Sequence, residues 1–174
     1  MISNRAFKIS KCIMIMLCMA ILMCGCGKRD VALDNYKANM DTYFSSVKTL
    51  DERMNAIDVS NSQTEVELEA SYTKILGYLD QLNTITAQMA QLEVPEQFSL
   101  AENLADETSE NMNSAVELYH QLYEADEYNE GVAEAAYEYY ERANKRIRYI
   151  RSILQGVIPD ELEVEYDDEY TENN

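Results

Sequence analysis

The chain has 174 residues, enough for one domain with a substantial core, and carries 32 acidic against 14 basic residues for a formal charge of −18. All 32 acidic residues follow Cys26 and three basic ones precede it, which leaves 11 basic residues and a formal charge of −21 beyond that point. So acidic a surface repels a nucleic-acid backbone and an anionic membrane surface, and nucleic-acid binding is set aside.

The N-terminus places Arg5, Lys8 and Lys11 ahead of an uninterrupted apolar run from Cys12 to Cys24, with small residues directly after. That is the layout of a secretory signal peptide. A run of about a dozen residues is too short to cross a bilayer of roughly 30 Å as a helix. Met23-Cys24-Gly25-Cys26 also resembles a bacterial lipobox, in which a small residue precedes the cysteine that becomes the lipidated first residue. Gly25-Cys26 matches best, and Cys24 after Met23 is the second choice. The resemblance implies a signal peptide over 1–25, a diacylglyceryl group on the Cys26 sulfur and attachment to the extracytoplasmic face of the cell membrane. Two acyl chains give stable anchoring where one is marginal. Cleavage by the general signal peptidase, giving a freely diffusing secreted protein, is the competing reading. Cys12, Cys18, Cys24 and Cys26 are the four cysteines, so processing leaves a single one, occupied by lipid. The exported domain then has neither a disulfide nor a thiolate metal site and must rely on a packed core.

After a short tether over 26–30, the apolar residues Leu33, Tyr36, Met40, Tyr43, Val47, Leu50, Met54 and Ile57 recur every three or four positions. This heptad stripe predicts a first helix of about 25 residues. Asp58 to Ser62 break it with short polar residues. Ser62 and Glu65 form a capping box that opens a second helix. Its stripe is Leu68, Tyr72, Ile75, Leu79, Leu82, Thr86 and Met89, widened by Leu76, Ile85 and Leu92, so it is expected to be more buried than the first. Gly77 within it implies close packing against a neighbour, and Pro95 ends it.

Pro95 and Glu96 suit the first turn of a third helix, with the stripe Ala101, Ala105, Thr108, Met112, Ala115, Tyr119 and Leu122. Its thin centre predicts a partly polar or closely approached seam. Asp126 to Gly131 break the pattern, with Asn129 as N-cap of a fourth helix carrying Val132, Ala136, Tyr139, Ala143, Ile147, Ile150 and Leu154. Gly156 and Pro159 stop it. From 159 to 174 acidic and apolar residues alternate without helical period, which predicts a disordered tail. The expected architecture over 31–158 is all-α: an antiparallel four-helix bundle of heptad-patterned helices, preceded by the signal peptide and followed by the acidic tail. Heptads alone also allow a three-stranded arrangement or an elongated helical hairpin.

Chemistry-bearing patterns are sparse. Glu117 and His120 have the Glu-x-x-His spacing of di-iron bundles, but such a site needs two motifs and His120 is the sole histidine. His120 is therefore read as a helix-surface residue. The acids Glu124, Asp126, Glu127, Glu130 and Glu134 lack the spacing of a calcium loop and read as a solvated face. No nucleophile–base pair or phosphate loop is present, so neither an enzyme nor a cofactor is expected. Thirteen tyrosines are the main aromatic resource, and Tyr137, Tyr139 and Tyr140 do not fit on one side of a helix. The tyrosines either fill a loose seam or present a recognition surface. Arg142, Lys145, Arg146, Arg148 and Arg151 form the one basic cluster, explained by ion pairs with acidic helices or by contact with the acidic tail or anionic headgroups. Tyr119, Tyr123, Tyr137, Tyr140, Arg142 and Arg146 are accordingly the candidate interaction surface. The expected function is interaction or scaffolding at the cell envelope, with a membrane anchor at Cys26 and an envelope protein as partner. The alternative is a ligand- or cation-binding accessory lipoprotein, which predicts a cavity between Ala101 and Ala115.

Overall fold

A computed structural model describes residues 30–62, 64–125 and 127–162. The signal peptide, Cys26 and residues 163–174 of the tail lie outside the described residues. Among those described, every regular element is helical: α1 (Val31–Asn55), α2 (Glu65–Ala90), α3 (Leu100–Tyr123) and α4 (Glu130–Leu154), with 3₁₀ turns at Val59–Asn61 and Glu96–Phe98. None of these helices is long and apolar enough to cross a membrane.

The breaks are made by side chains that satisfy orphan backbone amides. Asp58 accepts from the Ser60 amide, and Asn129 accepts from the Val132 amide at the start of α4, as expected. The cap of α2 sits two residues later than expected. Thr64, not Ser62, accepts from the Glu67 amide, while the Ser62 amide closes the preceding 3₁₀ turn on the Val59 carbonyl. Both residues stand three before a glutamate, and only the 3₁₀ turn decides between them. The third helix is likewise split: Pro95 opens the turn Glu96–Phe98, and α3 starts at Leu100. Phe98 is buried there and stacks on Tyr36 of α1 with ring centroids 6.1 Å apart. At the far end of α4 the Val157 amide bonds the Ser152 carbonyl and the Gly156 amide bonds Ile153. With Gly156 at φ +80, this is the glycine stop the sequence predicts.

The helices pack against one another over a continuous core. Tyr36, Met40, Phe44, Val47 and Leu50 enter it from α1, and Leu79, Leu82 and Met89 from α2. From α3 come Leu104 and Met112, and from α4 Ile147, Ile150 and Ile153. Ala101, Ala105, Thr108 and Ala115 of α3 and Ala136 and Ala143 of α4 are all buried, and α3 and α4 make the closest helix pair in the molecule. The thin centre of α3 is thus a closely approached seam. It makes α3 the most deeply buried of the described helices, while α2, expected to be more buried than α1, buries no more of its residues than α1 does. Thr108 and Thr86 enter the core without cost to hydrogen bonding, because each hydroxyl donates to a carbonyl of its own helix, Leu104 and Asn83 respectively.

Two expectations fail. Gly77 is not a close-packing residue, since a Cβ there would meet nothing within 4 Å. The chain after Pro159 is not free either: residues 160–162 make a helical turn and Leu162 is 2% exposed in the core. Glu161 accepts a hydrogen bond from the Tyr149 hydroxyl and pairs with Lys145 at 3.2 Å. Leu162 thus docks while the adjacent Glu161 meets α4. Because Gly77 carries the helix penalty without a packing reason, Gly77→Ala should raise stability by about 1 kcal/mol in a denaturant titration. Unchanged or lower stability would show that the residue serves the groove beside it.

Candidate functional site

Four tyrosines cross the molecule in a row. Tyr72 of α2 stacks on Tyr123 of α3 at 4.5 Å between centroids and 17° between planes. Tyr123 stacks on Tyr119, one turn back, at 5.9 Å, and Tyr119 meets Tyr140 of α4 edge-on at 6.5 Å. The Tyr140 hydroxyl then donates to Asp51 Oδ1 of α1 at 2.5 Å, so the row touches all four helices. Each such ring pair adds about 0.5–1.5 kcal/mol beyond the area it buries. Burial, reinforced by Tyr123, Tyr137 and Glu141, pushes the Tyr119 phenol up to about 12. Burial and the neighbouring Asp51 carboxylate push Tyr140 up as well. Asp51 is raised by burial and by Glu141, against the Tyr140 hydrogen bond that lowers it. These phenols stay neutral donors at ordinary pH.

Beside the Tyr72–Tyr123 stack, α2 and α3 leave an open groove of about 890 Å³. Leu68, Tyr72, Leu76 and Tyr123 supply its apolar lining, and Glu65, Glu69, Asp80 and Glu124 its acids. His120 lies within it, held at both ring nitrogens. Nε2 is 2.9 Å from Asp80 Oδ1 on α2, and Nδ1 is 2.7 Å from Glu124 Oε1. Two carboxylates on opposite edges of one ring favour the imidazolium, which donates at both. The hydrogen bond to Glu124, then that to Asp80, raises its pKa above 6.5. His120 is therefore an interhelical clasp and not simply a surface residue. Glu117, its partner in the metal-type spacing, turns away and accepts from Asn113. Among the described residues no three His, Asp or Glu side chains converge on a point that would hold an ion.

Of the six candidate surface residues, Tyr119, Tyr123 and Tyr140 come together in the half-buried row, which adds Tyr72 and Asp51 to them. Tyr137 stands 59% exposed. Arg142 is also exposed, pairing with Glu138 at 3.2 Å and covering the Tyr139 ring. Arg146 is largely covered and meets Glu107 of α3 at 2.5 Å. Two more of the basic cluster are engaged: Lys145 with Glu161, and Arg151 over the Phe44 ring at 4.7 Å. Intramolecular ion pairs thus account for most of that cluster. Between Ala101 and Ala115, where a cavity was expected, the small side chains of α3 are buried and α4 approaches closely. The groove lies instead between α2 and α3. Its acidic members carried one local signal in the sequence, the His120–Glu124 spacing of four; Asp80, forty residues away, carried none.

No protein-family model, curated protein or solved structure matches the chain.

Two outcomes are expected. His120 gains its partners on folding, so its folded pKa exceeds the unfolded one; the clasp's stabilisation is complete below about pH 6.5 and is lost as pH rises through the folded value. Melting curves from pH 5.5 to 9 should show wild type losing stability relative to His120→Gln as the pH rises; parallel curves would mean the clasp contributes nothing. Tyr140→Phe removes the only neutral donor at Asp51 that the row provides and should cost about 1–2 kcal/mol in chemical denaturation, with no loss of helix by circular dichroism.

Proposed function

We propose that the protein is a lipid-anchored, extracytoplasmic interaction module of the cell envelope, a non-catalytic bundle held to the membrane through Cys26. In this reading the four helices run antiparallel. Contacts that pair opposite ends of neighbouring helices support it: Tyr72 with Tyr123 and Asn83 with Asn113 between α2 and α3, and Tyr140 with Asp51 and Arg151 with Phe44 between α4 and α1. Four passes of this kind return the end of α4 to the side where α1 begins, near the anchor. The breaks at 58–62 and 124–129 then share the far end, away from the lipid.

The observation that carries the functional reading is the α2–α3 groove. It is open, lined by leucine and tyrosine and by four carboxylates, and it abuts the end of the molecule that such a bundle points away from the membrane. A site for chemistry would gather groups around a reacting atom, whereas these carboxylates are spread along a helix and its neighbour. A tethered surface of this composition suits recognition of another envelope component.

Two measurements on cells test it. Radiolabelled palmitate should enter the wild-type protein and not Cys26→Ala, which should leave the membrane fraction; a labelled Cys26→Ala would move the anchor to Cys24, and no label in either would remove the lipoprotein reading. Crosslinking on intact cells should recover one envelope protein in near-stoichiometric amount with wild type and lose it with Cys26→Ala. An empty capture would overturn the stable-scaffold role.

A further inference from the structure

We propose that the α2–α3 groove docks a basic amphipathic helix of a partner protein, and that His120 competes with that helix for the carboxylates of Asp80 and Glu124. The inference rests on the interaction-module reading and names the chemistry of its partner. Length sets the first condition. From Glu65 to Asp80 the α2 wall runs about 22 Å at roughly 1.5 Å per residue, which matches a helix of about 15 residues laid alongside. A groove between two helices is the usual seat for the apolar face of a third.

Charge sets the second. Glu65, Glu69, Asp80 and Glu124 line a floor of leucine and tyrosine, and no lysine or arginine is among the described residues of the lining. An apolar stripe flanked by Lys or Arg complements this pattern. A second copy of the chain does not, because it carries a formal charge of −21 beyond Cys26. Arg142, Lys145 and Arg146 of α4 do not supply the occupant either, being engaged with Glu138, Glu161 and Glu107.

His120 sets the third. Its ring now fills the place between Asp80 and Glu124 that a partner's cation would take. The charged or titratable groups around it are Asp80, Glu69, Glu65 and Tyr72 on the α2 side, and Glu124, Glu117 and Tyr123 on the α3 side. Apart from His120 itself all of these are acids or phenols. Protonated, His120 donates to both carboxylates and offsets one of their two charges. Once it loses its proton it keeps a single N–H, so the pair carries its full charge and one carboxylate faces the groove without a rival. Docking therefore tightens as pH rises through the His120 pKa, and by linkage docking lowers that pKa.

The test uses the protein as cells make it, purified in a nonionic detergent whether or not Cys26 carries lipid, and a rhodamine-labelled 15-residue helix of leucine and lysine, at constant ionic strength. Anisotropy should show saturable binding that is about fivefold tighter at pH 8.5 than at pH 5.5. Asp80→Asn/Glu69→Gln should weaken it about fivefold at the higher pH, while Glu134→Gln/Glu138→Gln, the same charge change on α4, leaves it unaltered. His120→Gln, which keeps both carboxylates free at either pH, should bind independently of pH. Since His120 is the only histidine, its ring proton gives one NMR signal, and the pKa read from it should fall when the peptide is bound. Equal losses from the α2 and α4 variants would show unspecific attraction and overturn the proposal, as would an unmoved His120 pKa. Self-association abolished by Asp80→Asn would assign the groove to a second copy and overturn it too. None of these readouts depends on the anchor, so unlabelled Cys26 with a positive titration would sink the envelope reading alone.

Discussion

Along α3 the buried residues include many short ones, Ala101, Ala105, Thr108 and Ala115, and α4, which packs closely on it, buries Ala136 and Ala143. Two helix backbones approach closely only where side chains between them are small. The other contacts follow from that seam. Where the alanines end, Tyr119 and Tyr123 take over on α3, and rings of that size hold the neighbouring helices apart. The row of tyrosines and the groove beside it are thus the counterpart of the tight seam. One part of α3 is narrow and closed, the other wide and open.

Charge works against this fold and has to be managed locally. With 32 acidic residues the chain repels itself, and three of its cations are placed where two elements meet. Arg146 ties α4 to Glu107 of α3, Lys145 holds the returning turn through Glu161, and His120 joins α2 to α3. Exposed pairs of this kind contribute little each, about 0–1 kcal/mol. Their effect here is to cancel repulsion at contacts that apolar burial already favours. The pair at Glu161 illustrates it. Leu162 docks only if the acid beside it is accommodated, and the Tyr149 hydroxyl and Lys145 ammonium hold that carboxyl below its usual range.

Periodicity carried most of the fold in readable form. The four helices, the Asn129 cap and the glycine stop at Gly156 all rest on interactions within a few residues of each other, so local spacing suffices to find them. Errors arose where two local patterns competed. Ser62 and Thr64 both precede a glutamate by three, and Pro95 suits a 3₁₀ turn as well as a helix start. Burial order was misread because small side chains look like a weak stripe, although they are what permits the deepest packing. The first residues of the tail, 160–162, were misread for a related reason: alternation without helical period signals disorder until a surface such as Tyr149 and Lys145 is available to receive them. As for the site, the tyrosines were legible as a resource and not as a row, since stacking of Tyr72 on Tyr123 depends on the register between helices fifty residues apart.

Register also explains why His120 holds two carboxylates when its own helix offers one. In the α2–α3 pairing, Tyr72 meets Tyr123 and Asn83 meets Asn113, so Asp80 lies about a turn along from the level of His120. The ring reaches it along the groove past Gly77, where an added Cβ would meet nothing within 4 Å, so the register of the two helices and not the glycine sets the contact. A clasp made this way is strained by neither backbone nor packing. It is set by protonation alone, which leaves the two carboxylates committed to one another's helix in acid and exposed to the groove above it.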